Sequence, residues 1–201
     1  MDYRELEQLD LNGVASRIKN CFECSLAAGR SNAVPGEGNG KSRLLFIGEG
    51  PGEEEDLSGR PFVGKAGELL DKILQSVGFE RKDIYLTNVV KCRPPNNRDP
   101  SKSELNSCWP YLLRQIESIN PLVIAALGRI AAGFLLSSES FSITRDHGKV
   151  FTFSHDAVLM PLYHPSYLLR NPSRDKDSPK YQMWEDVKRL KQIYDSFDKN
   201  S

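Results

Sequence analysis

Four cysteines stand in this chain, and their spacing pairs them. Cys21 and Cys24 have two residues between them in a CxxC; Cys92 and Cys108 have fifteen. Four thiolates suit either Zn²⁺ or an iron–sulfur cluster. Zinc ribbons present two tight CxxC knuckles, and the second pair is not one, so spacing tilts weakly towards a cluster. A redox CxxC follows a strand and opens a helix, whereas Cys21–Cys24 precedes the first strand. A second concentration of chemistry is Gly48-Glu49-Gly50-Pro51-Gly52, followed by the carboxylates Glu53 to Asp56. It is not a phosphate cradle. Glu53 stands where a Walker loop would carry its lysine, Pro51 lacks an N–H, and four carboxylates repel a phosphate. Asn88 and His164 each end an apolar run. Asn88 alone reads as an Asx cap, His164 as a satisfied structural histidine, and Phe62, between Pro61 and Val63, as core.

The elements that must position these residues alternate. Leu44 to Ile47 is a buried strand, followed by a long exposed loop and a helix from about Lys65 to Val77, with Gly78 as its C′ residue. Asp83 to Val90 reads as the second strand, Leu122 to Leu127 as the third and Val158 to Tyr163 as the fourth. Residues 149–154 read as an edge strand. Ser101 and Glu104 make a capping box for a helix to Ile119, with Pro110 as its interruption point. Residues 1–20 carry a helical pattern broken at Gly13. Ser178 and Pro179 start a last helix whose inner face is Met183, Val187, Leu190, Tyr194 and Phe197. Strands alternating with helices predict an α/β, three-layer sandwich: a central four-stranded, mainly parallel sheet with helices on both faces. Glycine-rich turns after its strands lie at the carboxyl edge, where open α/β sheets bind ligands.

The 201 residues fit one domain, 1–201, with residues 1–42 as an N-terminal helical and cysteine-bearing segment of it. Basic and acidic residues balance at 27 each, so net charge does not point to nucleic acid and any basic surface must be local. No apolar run is long enough to span a bilayer, and the charged start MDYRELEQLD is no signal peptide. The expectation is a cytoplasmic protein in a reducing compartment, where four cysteines bind metal in preference to forming disulfides.

Long ordered blocks then resemble the family 4 uracil-DNA glycosylases. They are Gly48-Glu49-Gly50-Pro51-Gly52-Glu53 with Glu55-Asp56, Gly59, Pro61-Phe62-Val63-Gly64 and Ala66-Gly67; Thr87 to Pro95; Ala126-Leu127-Gly128; and His164 to Arg170. With the cysteines, the likeness runs from Cys21 to about Trp184. It implies the uracil-DNA glycosylase fold, a prokaryotic cytosol or nucleoid, a monomer, and uracil-containing DNA as the partner. It implies a structural 4Fe–4S cluster on Cys21, Cys24, Cys92 and Cys108. It implies a base-excision repair enzyme that flips uracil from DNA and hydrolyses its N-glycosidic bond, leaving an abasic site without strand cleavage. A base taken out of the stack needs a stacking ring, an edge reader and a holder of charge. By resemblance these are Phe62, Asn88 and His164, with Gly50 as a further uracil-binding residue. Glu49 and Glu55 become the candidate helpers of the attacking water, because Gly50 stands where the distantly related family 1 enzymes carry their water-positioning Asp. Glu55 is further implied to fill the space beside uracil C5. Lys91, Arg93, Arg98, Ser166 and Arg170 are placed to meet phosphates or the vacated stack, and Leu168 or Leu169 to wedge into the duplex. A binder that traps the sugar on a histidine is disfavoured, because residues 91–107 contain none. A cluster-bearing scaffold without chemistry is the third class.

Overall fold

The computed structural model describes residues 3–138 and 140–198. Its frame is one sheet of strands β1 (Glu37–Gly38), β2 (Leu44–Gly48), β3 (Tyr85–Asn88), β4 (Val123–Leu127), β5 (Phe151–Thr152) and β6 (Val158–Leu162). They lie in the order β1-β3-β2-β4-β6-β5. The inner four are parallel, as the alternating pattern predicts, with Gly48 opposite Asn88 and Leu127 opposite Leu162. Two short antiparallel strands close the edges. One of them, β1, lies in residues 29–42, whose Gly, Ser and Asn content reads from sequence as a loop.

The helices are α1 (Tyr3–Glu7), α2 (Leu11–Lys19), α3 (Glu53–Ser58), α4 (Lys65–Gln75), α5 (Lys102–Ile119), α6 (Gly128–Leu136), α7 (Ile143–Asp146), α8 (Pro165–Arg170) and α9 (Pro179–Asp198). Apolar strand residues alternate between two cores. Leu45, Ile47, Ile124 and Ala126 pack under α1, α2, α5 and α6. Leu44, Phe46, Val123 and Ala125 pack under α4, α8 and α9, where Met183, Val187 and Leu190 are wholly buried. Two-sided burial of this kind makes near-continuous apolar strands and gives three layers. Among the described residues, no helix is long and apolar enough to cross a membrane.

Three local expectations are corrected. The first helical segment breaks before Gly13, where Asp10 caps α2 by accepting from the Gly13 N–H at 2.8 Å. Pro110 sits inside a continuous α5; burial of Leu105, Cys108, Tyr111, Leu112 and Ile116 outweighs the roughly 3 kcal/mol that an interior proline costs. The acidic run is not a loop but the start of α3. Carboxylates suit the positive end of a helix, and two of these are bound there. Glu55 accepts from the Gly52 N–H at 3.0 Å. Asp56 is buried and accepts from the Ser31 N–H at 3.0 Å.

Candidate active site

The carboxyl ends of all four parallel strands open onto one cavity of about 560 Å³. β2 delivers Glu49 and Gly50, β3 ends on Asn88, β4 leads into Gly128, and β6 leads into Tyr163 and His164. Glu55, Phe62, Arg98, Ser166 and Arg170 also line it. Residues spread over more than a hundred positions thus meet at the edge where α/β sheets bind ligands.

Phe62 is 6% exposed and has φ +53°, a left-handed conformation that a bulky residue rarely adopts. The surrounding backbone is held from both sides. Glu55 Oε1 accepts the Val63 and Gly64 N–H groups at 2.9 and 2.8 Å. Arg81 donates to the Phe62 carbonyl and is fixed in turn by Asp71 at 2.9 Å. Gly48 makes room for the ring: a Cβ there would sit 2.7 Å from Phe62 Cζ and overlap Asn88 Oδ1. Phe62 and His164 face each other with ring centroids 6.5 Å apart.

Asn88 is 2% exposed, and its buried Oδ1 has no hydrogen-bond partner among the described residues. Buried polar atoms are nearly always paired, so this one marks a place for a ligand. His164 Nδ1 accepts the Ser166 N–H at 3.2 Å and lies 2.8 Å from Ser166 Oγ. An amide can only donate, so Nδ1 carries the lone pair and the ring proton sits on Nε2. Burial, reinforced by Arg170 and opposed by Glu55, lowers the His164 pKa to about 4. The imidazole is therefore neutral at pH 7, with one N–H free to donate. Glu49 differs from Glu55. Burial, then the nearby Asp99, raises its pKa to about 7, and Arg129 opposes them.

The presumed phosphate contacts divide. Arg170 is exposed at the cavity rim. Arg98 lines the cavity, but its guanidinium is already matched by Glu104 at 2.7 and 2.8 Å. Ser166 uses its amide and hydroxyl on His164. Arg93 does not line the cavity; it bonds Asn97 at 2.8 Å and pairs with Glu53 at 3.5 Å. Lys91 is wholly buried and cannot reach a phosphate. Leu168 is also a core residue, at 0% exposure, which leaves Leu169 at 42% as the surface leucine of the pair. Sequence reasoning missed Tyr163, Tyr167, Asp99 and Arg129. Tyr163 stacks on Tyr167 at 5.4 Å, and Arg129 reaches Asp99 at 2.6 Å. Signals were available: Arg129 directly follows the Ala126-Leu127-Gly128 block, Tyr163 directly precedes the block His164 to Arg170, and Tyr167 lies within it.

A second, smaller cavity collects Cys21, Cys24, Cys92 and Cys108 between the end of α2, the loop after β3, and α5. Two donors point at its sulfurs: Arg30 Nη1 to Cys92 at 3.0 Å, and the Lys91 N–H to Cys108 at 3.4 Å. Burial raises both thiols, Cys108 to about 12, so free thiols would keep their protons at pH 7. Among the described residues, no three Cys, His, Asp or Glu side chains converge closely enough to hold a single metal ion.

The family model of the uracil-DNA glycosylase superfamily matches residues 35–188. The chain is 51% identical to a type-4 uracil-DNA glycosylase of Thermotoga maritima over 81% of its own length and 84% of that protein's. It is 46% identical to the type-4 enzyme of Saccharolobus solfataricus, covering 83% of this chain and 80% of the relative. It is also 46% identical to the type-4 enzyme of Archaeoglobus fulgidus, covering 81% and 84%. With a strand-end cavity built from the blocks that carried the resemblance, this chain belongs to the uracil-DNA glycosylase superfamily.

Proposed function

We propose that this chain is a monofunctional uracil-DNA glycosylase of the type-4 kind. It takes uracil out of DNA, breaks the bond between N1 and C1′, and leaves an abasic site. The carrying observation is the buried Asn88 Oδ1, unpartnered among the described residues, beside Gly48, where the Phe62 ring also approaches. An amide in that place accepts from uracil N3–H and donates to O4, while Phe62 supplies the stacking face. As the glycosidic bond breaks, its electron pair passes to the base and charge builds on O2. A neutral imidazole whose only proton is on Nε2 can donate there without first losing a charge, which is stabilisation of the oxyanion-hole kind. Water completes the reaction at C1′, and Glu49 is the carboxylate positioned to orient it or take its proton. Glu55 has no such freedom, since three backbone N–H groups occupy it.

The test is release of free uracil, with repeated turnover, from a uracil-containing oligonucleotide whose strand stays intact until alkali is added. Binding without release, or one turnover ending in a covalent adduct, would overturn the reading.

The four cysteines fit a 4Fe–4S cluster. The donors are all sulfur, and two N–H groups are ready for thiolates, which metal binding would generate by displacing the protons. Such a cluster would staple α2 to the loop after β3 and to α5. Protein purified without air should be brown and hold iron and sulfide. Stoichiometric zinc with no iron, from iron-replete cells, would sink the assignment.

A further inference from the structure

Lys91 is the largest polar side chain in the core, at 1% exposure, and the chemistry above leaves it unused. Its ammonium is fully committed. It donates to Thr87 Oγ1 at 2.7 Å, to the Asn88 carbonyl at 2.6 Å and to Gln115 Oε1 at 2.7 Å. Three acceptors match the three protons of an ammonium. Two of those partners reach further. Thr87 Oγ1 and Gln115 Nε2 both donate to the Pro35 carbonyl, each at 2.8 Å. The backbone N–H of Lys91 meanwhile faces Cys108 Sγ at 3.4 Å.

One buried lysine therefore joins the carboxyl end of β3 and the C-terminal half of α5, and through Thr87 and Gln115 the segment leading into β1; the loop that carries Cys92 begins at its own backbone. The strand end it grips is the residue whose amide faces the cavity. Asn88 Oδ1 has no partner among the described residues, so no side chain among them fixes that oxygen by hydrogen bonding. Its position comes from the backbone beneath it, and Lys91 holds that backbone by the Asn88 carbonyl itself.

We propose that Lys91 is a positioning residue for base recognition: through Thr87, Gln115 and the Asn88 carbonyl it sets where the Asn88 amide meets the base edge. The inference rests on the reading that Asn88 contacts the base. It gives the TNVVK block a reason for its spacing. The lysine follows Asn88 by three residues, which lets its side chain fold back onto the carbonyl of the residue it serves. It also places the cysteine loop one residue from the hub, so loss of order there would reach the base pocket.

The experiment compares two ligands in one duplex context, an uncleavable 2′-fluoro-deoxyuridine and a tetrahydrofuran abasic analogue. The first needs the Asn88 contacts, and the second has no base. Variants Thr87→Val and Gln115→Leu each remove one arm of the hub and leave the cysteine loop alone; Lys91→Met removes the centre. The expected result is weaker binding of the fluoro-uridine duplex by about tenfold for Lys91→Met, and less for the other two, as for loss of one or two buried hydrogen bonds. Affinity for the abasic duplex should change less than twofold. Equal losses on both ligands, or no loss on either, in Thr87→Val and Gln115→Leu would overturn the proposal, whether or not Lys91→Met folds. If wild-type protein and Asn88→Asp bound the fluoro-uridine duplex equally, the failure would lie with Asn88 as the reader and not with Lys91.

Discussion

The two sides of the cavity are built on opposite principles. On the Phe62 side nearly every polar group is matched. Glu55 takes three N–H groups and Arg81 takes the Phe62 carbonyl. The matched groups hold a bulky residue in a left-handed conformation that would cost it roughly 1–3 kcal/mol. On the strand-end side the groups are left over: Asn88 Oδ1 has no partner and Glu49 is desolvated. Saturation marks the parts that hold shape, and unmatched polarity marks the parts that await a ligand. Two glutamates six residues apart fall on different sides of that line.

The strongest way to break the comparison is Asn88→Asp. Uracil offers a donor at N3 and an acceptor at O4, and the substitution replaces an NH₂ by an oxygen that repels O4. A site made to hydrogen-bond a base edge loses about 10⁴-fold when the match fails. Single-turnover excision from a uracil oligonucleotide should fall by that order, while binding of undamaged DNA stays nearly unchanged. Wild-type rates would show that the unpaired amide is not the reader. Gly48→Ala should cost less, about 10²-fold, because its Cβ overlaps Asn88 Oδ1 and meets Phe62 Cζ at 2.7 Å. If that variant kept full activity, the close packing across the two sides would not matter.

Much of this was readable beforehand, and the reason is chemical. Strand ends, glycine turns and paired cysteines are local patterns, and the parallel direction of the inner strands followed from βαβ alternation. What failed was mostly whatever depended on which side chains the fold buries and what they meet there. Lys91 reads as a phosphate contact because a lysine in a Pro- and Arg-rich segment is ordinarily solvated; its three buried acceptors lie on β3 and α5. The acidic run reads as a loop because nothing local says that Glu55 will bind N–H groups eight and nine residues on. Leu168 and Leu169 are indistinguishable until α8 turns one of them into the core.

The mildest and most discriminating prediction concerns Glu49. A cation-forming sugar needs little help from a base, so Glu49→Gln should slow excision at pH 8 by only about tenfold, below the usual range for general-base loss. The pH profile carries the sharper content. Burial raises the Glu49 pKa to about 7, so the wild-type rate should fall as pH drops through 7, where the carboxylate takes a proton. Glu49→Gln should lack that limb and keep only the lower one near pH 4, where His164 becomes charged. Stability should move the other way. A carboxyl whose folded pKa lies above its usual 4.5 binds its proton more tightly when folded, so its contribution fades as pH rises from about 4.5 through 7. His164, with its folded pKa lowered to about 4, removes stability as pH falls from about 6.5 towards 4. Glu49→Gln should therefore raise the melting temperature at pH 8 relative to wild type and leave it little changed at pH 4.5. An enzyme that becomes slower and more stable only where Glu49 would be ionised has a carboxylate kept for the reaction at the fold's expense. A variant with the wild-type pH limb would move the titrating group elsewhere and return Glu49 to the matched side of the cavity.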